Sequence, residues 1–283
     1  MLNQLERIAI AAGDLILQFR QAGPNVMHKA DGSPVTEADQ AAEDLIIREL
    51  KTLDPGIPII AEESARSGTS DVANKSALFF VDPLDGTKEF VRGKSDYTVN
   101  ICLVENRRPK IGVVFAPSRG ELFSGDGTAS YLCRVGNDGS IGERVQIRTS
   151  CGAASLTAVA SASHGNVETD EFLQKIDVTR KVSVGSSLKF CLVAMADAQI
   201  YPRFGRTMQW DTAAGDAVLR GAGGCTLTCD GNELEYGVPC ATDGAFDNPH
   251  FISYGGDAET LRALLRTYDF GSASRSNRTG TVT

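Results

Sequence analysis

The chain has 283 residues, of which 42% are hydrophobic and 23% are charged, a composition typical of a globular protein large enough to bury a full core. Its formal net charge of −8 argues against nucleic-acid polymers and anionic membrane surfaces as main partners, because neither would be attracted overall. A small anionic substrate is still allowed, since a bound divalent metal can reverse the sign of the local charge.

The seven cysteines are scattered, odd in number and without a CxxC pair, which argues against a disulfide framework or a zinc site. Reduced cysteines that pack in a core favour a cytoplasmic protein. The first residues do not form the basic and then apolar pattern of a signal peptide, and no segment reaches the roughly 18 uninterrupted apolar residues of a transmembrane segment. Peripheral membrane association and the oligomeric state are left open by the residues.

Apolar residues recur at helical spacing in the N-terminal part. This pattern predicts a helix from Leu2 to Gln21 and a second helix from Glu37 to about Leu53, joined by a polar link that contains KADGSPVT. Thr36 and Asp39 fit a capping box at the start of the second helix. The spacing alone therefore favours Asp39 as a helix cap.

Strand patterns follow. A short strand is predicted at Ile57 to Ala61, ending in Glu62 and Glu63, and a polar loop at 65–75 leads to a strand that carries VDPLDGT at its exit. Three further runs between Tyr97 and Arg134 contain alternating or β-branched residues: TVNICLVE, KIGVVFAP and ELFSGDGTASYLC. Turn residues separate the runs, which predicts an antiparallel meander.

A stretch poor in bulky residues at 136–155 predicts a domain boundary. We expect an N-terminal α+β domain at 1–150 and a C-terminal α/β domain at 151–270. In the second domain the pattern predicts helices at 169–176, 186–198, 210–221 and 257–268, the strands LTAVASAS, VSVG, QIY and FISYG, and a hairpin of CTLTC with ELEYG. The polar tail at 271–283 is expected to be disordered or an added sequence.

Acidic residues recur where predicted strands end and helices begin: Glu62 and Glu63, Asp82 and Asp85, and Asp211. Two carboxylates as close as Asp82 and Asp85 share either a proton or a cation. A single acid at such a place is more often a solvated surface group, but a second acidic cluster directly after another strand favours the cation. Oxygen ligands in this number suit Mg²⁺ or Mn²⁺.

The pair Gly86-Thr87 directly follows Asp85. A short helix beginning there would point free backbone N–H groups at the spot that the carboxylates surround, which suits a phosphate. The structural alternative is that Asp85 caps the helix and Gly86 relieves a turn. The sequence contains no GxSxG elbow, P-loop or GxGxxG after a predicted strand.

The segments KADGSPVTEAD, AEES, VDPLDGTKEF and WDTAAGDA resemble, in order and spacing, the motifs of the lithium-sensitive, magnesium-dependent phosphatases of the inositol monophosphatase superfamily. The resemblance extends from the first helix to about Ser253. It implies a layered αβαβα sandwich of the sugar phosphatase type, an α+β or α/β fold. Lys88-Glu89-Phe90 after DGT, together with VGSSLKFCLVA and IYPRFGRT, is similar to 3'(2'),5'-bisphosphate nucleotidases of the CysQ type, which hydrolyse 3'-phosphoadenosine 5'-phosphate to AMP and phosphate.

The resemblance also implies residue roles. Two or three Mg²⁺ ions would be held by Glu62, Asp82, the carbonyl of Leu84, Asp85 and Asp211. Glu63 would not bind a metal directly but would support the residues that do. Glu62 and the Thr87/Asp39 pair would be catalytic, because they would orient a water molecule and take its proton. Gly86 and Thr87 would bind the phosphate. Nucleotide contacts map to Ser161, His164, Ser186, Ser187, Lys189, Tyr201 and Arg203.

One departure concerns the substrate. Ala162 stands where relatives commonly have Arg in SRSH, so a contact to the second phosphate is either missing or supplied by another residue. Without the resemblance, His164 would be interpreted as a surface or packing residue and Lys189 as a solvated one. Inositol or fructose bisphosphate phosphatase activity on the same metal core is one alternative, and a non-catalytic nucleotide-binding regulator is another. Lithium inhibition and a role in clearing a by-product of sulfate assimilation are implied by the resemblance alone.

Overall fold

The computed structural model describes residues 1–29, 32–65, 75–150, 156–161, 167–238, 246–268 and 270. Within these residues the helices are α1 (Leu2–Ala22), α2 (Glu37–Leu53), α3 (Thr87–Val91), α4 (Val167–Lys175), α5 (Leu188–Ala194), α6 (Gln209–Gly221) and α7 (Ala258–Leu265). A small hairpin joins β1 (Val26–His28) to β2 (Pro34–Thr36).

The first large sheet has seven strands in sequence order: β3 (Ile59–Ala61), β4 (Ala77–Asp85), β5 (Thr98–Glu105), β6 (Arg108–Ala116), β7 (Glu121–Gly125), β8 (Ser130–Arg134) and β9 (Val145–Ile147). β3 runs parallel to β4, and the other neighbours are antiparallel. The predicted meander is therefore confirmed.

The second large sheet has five strands in the order β11-β10-β12-β14-β13. They are β10 (Leu156–Ser161), β11 (Val178–Val184), β12 (Ile200–Arg203), β13 (Cys225–Thr228) and β14 (Phe251–Tyr254). β10 pairs in parallel with β11 and β12, and β14 pairs antiparallel with β12 and β13.

Alternating side chains divide the core between the layers. Phe79 and Val81 on β4 join the cluster formed with α1 and α2, whereas Leu78 and Phe80 join the cluster formed with α5 and α6. A third cluster packs α4 and α7 on the outer face of the second sheet. The order of layers is helices, sheet, helices, sheet, helices, which confirms the predicted αβαβα sandwich.

Several local predictions need correction. The third predicted run is two strands, β7 and β8, because the carboxylate of Asp126 accepts hydrogen bonds from the N–H groups of Thr128 and Ala129 and closes a turn. The predicted CTLTC/ELEYG hairpin is short. β13 pairs with β14 on one edge and meets the second arm on the other edge, at the bridge of Leu227 with Glu233 and at the hydrogen bond from the Leu234 N–H to the Thr226 carbonyl. The helix expected to reach residue 198 ends at Ala194.

The β1–β2 hairpin was not predicted, because strands of three residues are too short to reveal alternation. The five described cysteines are buried and free, as expected. In the described part of the chain, no helix combines the length and the apolar character needed to cross a bilayer. The tail at 271–283 and most of the loop at 65–75 lie outside the described residues.

Candidate active site

A cavity of about 460 Å³ opens where β3 and β4 end and where α5 and α6 begin. Most of the residues singled out in the sequence line it: Glu62, Asp82, Leu84, Asp85, Gly86, Thr87, Ser186, Lys189, Tyr201, Arg203 and Asp211. Asp39 and Ser187 do not line the cavity and are buried behind it. His164, Ala162 and the side chain of Ser161 lie outside the described residues.

A β-bulge aims two acids at this cavity. Asp82 pairs with Asn100 and Asp85 pairs with Thr98, so three steps along β4 correspond to two steps along β5. In a regular strand, residues three apart point to opposite faces, but the extra residue at Pro83-Leu84 brings both carboxylates to the same side. The side chain of Leu84 then points into the core beneath α1 and α2.

Glu62 lies at the end of β3, where its N–H donates to the carbonyl of Val81 at 3.1 Å. The Lys29 ammonium lies 2.6 Å from a carboxylate oxygen of Glu62 and 2.6 Å from one of Glu63. Burial by itself lowers the pKa of Lys29, but the two carboxylates outweigh it and the net pKa is raised. Burial first, and the charge of Glu62 second, raise the pKa of Glu63 to about 7.

Glu43 on α2 was missed from the sequence. Its fully buried carboxylate accepts the N–H of Glu63 at 2.8 Å, and it also accepts hydrogen bonds from Ser64. It therefore fixes the turn that carries Glu62. The signal was available, because Glu43 follows Asp39 by four residues and so lies on the same helix face.

Asp39 combines two of the predicted roles. One carboxylate oxygen accepts the N–H and the hydroxyl of Thr36, both at 2.7 Å, in a capping box. The other accepts the Thr87 hydroxyl at 3.0 Å. The helix cap and the link to Thr87 therefore coexist in one carboxylate.

Asp211 enters the cavity from the first turn of α6. Its carboxylate accepts the N–H of Met208 at 2.9 Å, which orients the side chain at the helix start. Burial is the main cause that raises its pKa well above the usual range, followed by the charges of Asp85 and Glu62.

The acids of the cavity repel one another. Burial, followed by the charges of Glu62, Asp85 and Asp211, raises the pKa of Asp82 well above its usual range. Burial is also the main cause that raises the pKa of Asp85 to about 6, although the Lys189 ammonium opposes the shift. A divalent cation would relieve this repulsion, and an all-oxygen donor set fits Mg²⁺.

The acids share a cavity without forming a closed cage. Among the described residues, no group of three or more His, Cys, Asp or Glu side chains stands at the spacing of metal ligands. Each carboxylate instead has a hydrogen-bonding partner of its own: Lys29 for Glu62, the Leu84 N–H for Asp82 and the Met208 N–H for Asp211. Binding a metal would therefore exchange some of these partners for the cation.

The opposite wall carries cations. Lys189 is buried, its ammonium donates to the carbonyl of Ser186 at 2.6 Å, and it lies 5.6 Å from the centre of the Tyr201 ring. Burial lowers the pKa of Lys189 to about 8. Arg203 is 9% exposed, and its buried Nε has no hydrogen-bond partner. Two exposed cations, Lys88 and Arg206, also line the cavity and were not predicted as contacts, although both occur in the segments that carry the resemblance.

Comparison with known proteins identifies the family and the fold of this chain. The family model "Inositol monophosphatase family" matches residues 1–256. The 3'(2'),5'-bisphosphate nucleotidase CysQ of Escherichia coli O157:H7 is 42% identical over 238 residues, which cover 83% of this chain and 94% of the relative. Among solved structures, CysQ from Bacteroides thetaiotaomicron superposes with a TM-score of 0.75 at 32% identity, covering 90% of this chain and 97% of the other. An IMPase from Thermotoga maritima superposes with a TM-score of 0.71 at 25% identity, covering 94% and 96%.

Proposed function

Because this chain belongs to the inositol monophosphatase family, we propose that it is a Mg²⁺-dependent phosphatase that removes the 3'-phosphate of 3'-phosphoadenosine 5'-phosphate, giving AMP and phosphate. The observation that carries the proposal is the cavity itself, in which acids of β3, β4 and α6 face the buried cations Lys189 and Arg203. The carboxylates can bind a metal that in turn binds the reacting phosphate, and the cations can bind further negative charge on the same substrate.

Mg²⁺, in two or three copies, would be held by Glu62, Asp82, the carbonyl of Leu84, Asp85 and Asp211. When bound, it supplies a Lewis acid that lowers the pKa of water and neutralises charge on the phosphoryl group. The raised pKa values of Asp82 and Asp211 support this assignment: burial is the main cause, the charges of neighbouring carboxylates add to it, and a cation would stabilise the ionised forms.

The protein's own groups handle the proton. The Thr87 hydroxyl donates to Asp39 and would in turn accept from the attacking water, while Glu62 would take the proton of that water. Backbone N–H groups at Gly86 and Thr87, which begin α3, would donate to the phosphoryl oxygens as negative charge develops. The attack would be in line with the leaving 3'-oxygen, which departs on AMP and takes up a proton from solvent to become the 3'-hydroxyl, and no phosphoenzyme is needed.

The cationic wall would select the nucleotide. Lys189 and Arg203 would meet the remaining phosphate, with Ser186 and Tyr201 completing the contacts that the described residues offer. Ser161 and His164 stay predictions, as does the consequence of Ala162. We place the protein in the cytoplasm, a reducing compartment that suits its buried free cysteines, with a small phosphorylated nucleotide rather than nucleic acid as its partner.

The decisive experiment compares kcat/KM for 3'-phosphoadenosine 5'-phosphate, inositol 1-phosphate and fructose 1,6-bisphosphate at saturating Mg²⁺. We expect a clear preference for the nucleotide. A preference for either sugar phosphate would overturn the nucleotide assignment while leaving the metal core intact. Nucleotide binding without release of phosphate would identify a regulator instead of an enzyme.

A further inference from the structure

The turn at residues 185–187 is bound, residue by residue, to one face of the chain at residues 96–100, which leads into β5. The N–H of Gly185 donates to the Asp96 carboxylate at 3.4 Å, the hydroxyls of Ser186 and Thr98 lie 3.0 Å apart, and Asn100 Nδ2 donates to the Ser187 hydroxyl at 3.0 Å. Alternate residues of an extended chain share a face, so residues 96, 98 and 100 all contact the turn from the same side. We call these three contacts the interface ladder.

The ladder is buried and closely fitted. Thr98, Asn100 and Ser187 are at most 2% exposed. A Cβ on Gly185 would lie 2.7 Å from the carbonyl oxygen of Asp96, so only glycine allows this approach. Ser186 adopts a left-handed conformation with φ of 53°, which is unfavourable for a non-glycine residue and persists only where surrounding contacts impose it.

The ladder is connected to three acids of the cavity, Asp82, Asp85 and Asp211. Asn100 and Thr98 are the cross-strand partners of Asp82 and Asp85 in the sheet. The Ser187 hydroxyl donates to the backbone carbonyl of Asp211 at 2.6 Å and lies 3.3 Å from the Asp85 carboxylate. The hydroxyl has one proton, so the shorter contact takes it, and Asp85 is bound by the backbone N–H of Ser187.

We infer that Ser187 and Asn100 are positioning residues that set the separation of Asp85 on the first sheet from Asp211 on α6, and so prepare the two acids for one metal centre. Asn100 donates to the Ser187 hydroxyl and thereby directs its proton to the Asp211 carbonyl. Ser187, which the resemblance assigned to the substrate, lies behind the acids and off the cavity wall. The inference rests on the proposed function, because it presumes that these acids hold a metal.

The test uses Mn²⁺ as the probe and measures its binding to the whole protein by electron paramagnetic resonance, without substrate. Ser187→Ala removes the hydroxyl and keeps the backbone N–H. We expect it to weaken Mn²⁺ binding about tenfold, the effect of losing one hydrogen bond that orients a charged group. Asn100→Ala, which leaves Ser187 in place, should weaken binding in the same direction by a smaller factor.

Ser130→Ala is the matched control. The Ser130 hydroxyl is also buried and also donates at 2.6 Å to a backbone carbonyl of α6, that of Val218 at the far end of the helix. It should lower the unfolding temperature about as much as Ser187→Ala does, while Mn²⁺ binding stays unchanged. If Ser187→Ala does not fold, Asn100→Ala carries the same test.

The outcomes separate the inference from the proposed function. Wild-type protein that binds no Mn²⁺ would refute the metal centre and the proposed function with it. Wild-type Mn²⁺ affinity in both Ser187→Ala and Asn100→Ala would refute the positioning role alone. An increased KM for 3'-phosphoadenosine 5'-phosphate in Ser187→Ala, with unchanged Mn²⁺ binding, would identify Ser187 as a substrate contact after all.

Discussion

The two walls of the cavity are built from different layers and have opposite chemistry. The acidic wall consists of Glu62, Asp82 and Asp85 from the first sheet with Asp211 from α6, and the basic wall consists of Lys189 from α5 and Arg203 from β12. Burial raises the pKa of the acids Asp82, Asp85 and Asp211 and lowers that of Lys189. Glu62 has Lys29 as an ion-pair partner, but the other buried acids and Lys189 are short of counter-charge. A metal–phosphate ligand with a second anionic group would supply it to both walls.

This contrast indicates a division of labour. The acidic wall should control whether the reaction occurs at all, since the proposed metal and the attacking water would act there. The basic wall should control which phosphate ester is preferred, because it would contact the part of the substrate that does not react. Variants of the acidic wall should therefore lose kcat, whereas variants of the basic wall should lose the preference for one phosphate ester over another.

The largest effect is expected on the acidic wall. Asp82→Asn or Asp85→Asn replaces a proposed metal ligand by a neutral group of the same shape, and we expect kcat to fall by more than about a hundredfold at saturating Mg²⁺. The measurement is phosphate release from 3'-phosphoadenosine 5'-phosphate. Asp257→Asn is the control, because Asp257 caps α7 outside the cavity and Asn caps a helix equally well. Near-normal hydrolysis in either cavity variant would show that these acids do not hold the metal.

On the basic wall, Arg203→Met should reduce the preference for the bisphosphate nucleotide over inositol 1-phosphate. The guanidinium contributes a buried Nε without a partner, so its loss should raise KM for the bisphosphate by about tenfold to a hundredfold. Turnover of inositol 1-phosphate, which lacks a second phosphate, should change little. Arg144→Met is the control for removing a partly buried arginine, since Arg144 pairs with Glu6 away from the cavity. Equal losses on both substrates would place Arg203 in the common phosphate site instead.

A smaller effect, on the Mg²⁺ requirement, is expected from Glu43, which lies behind the acidic wall. Glu43→Gln weakens the acceptor that binds the turn of Glu62 and Glu63, so we expect the Mg²⁺ concentration for half-maximal activity to rise about tenfold. Excess Mg²⁺ should restore kcat, because Glu43 does not line the cavity. Glu6→Gln is the matched control, as Glu6 is an equally buried helical carboxylate bound to Ser124 and Arg144. An unchanged Mg²⁺ requirement in Glu43→Gln would contradict the role of this turn.

The sequence was most informative about the acidic wall. Asp82 and Asp85 could be singled out because they break the usual composition of a strand exit, and Asp211 because it lies where a predicted helix begins. The resemblance added their assignment to a shared metal site and the layer order. The bulge at Pro83-Leu84 could not be predicted, since it depends on the register of β4 against β5.

Long-range contacts account for the other omissions. Asn100 and Ser187 lie 87 positions apart in the chain, and no local pattern of apolar or polar residues reports such a pairing. Glu43 was readable in principle as a neighbour of Asp39 on one helix face, but the N–H group that it binds belongs to a different element. Local patterns identify chemical groups, whereas the fold decides which groups face the cavity and which support it.

The smallest predicted effect is a pH dependence of stability in the metal-free protein. Burial is the main cause that raises the pKa of Asp85 to about 6 and that of Glu63 to about 7, above the usual values of 3.8 and 4.5. These carboxyl groups hold their protons more tightly in the folded state than in the unfolded one. Their contribution to stability is therefore fully present below about pH 4 and is lost as pH rises through about 6 to 7.

In the presence of a chelator, the unfolding temperature should consequently fall by about 5 °C between about pH 5 and about pH 7.5. Saturating Mg²⁺ should abolish this fall, because the cation binds the ionised carboxylates of the folded state and stabilises them. Asp85→Asn should reduce the fall in chelator, since one of the crowded charges is gone. A decrease in unfolding temperature of the same size with and without Mg²⁺ would mean that the metal does not bind at the acidic wall. The opposite charges of the two walls would then have no role in binding a metal–phosphate ligand.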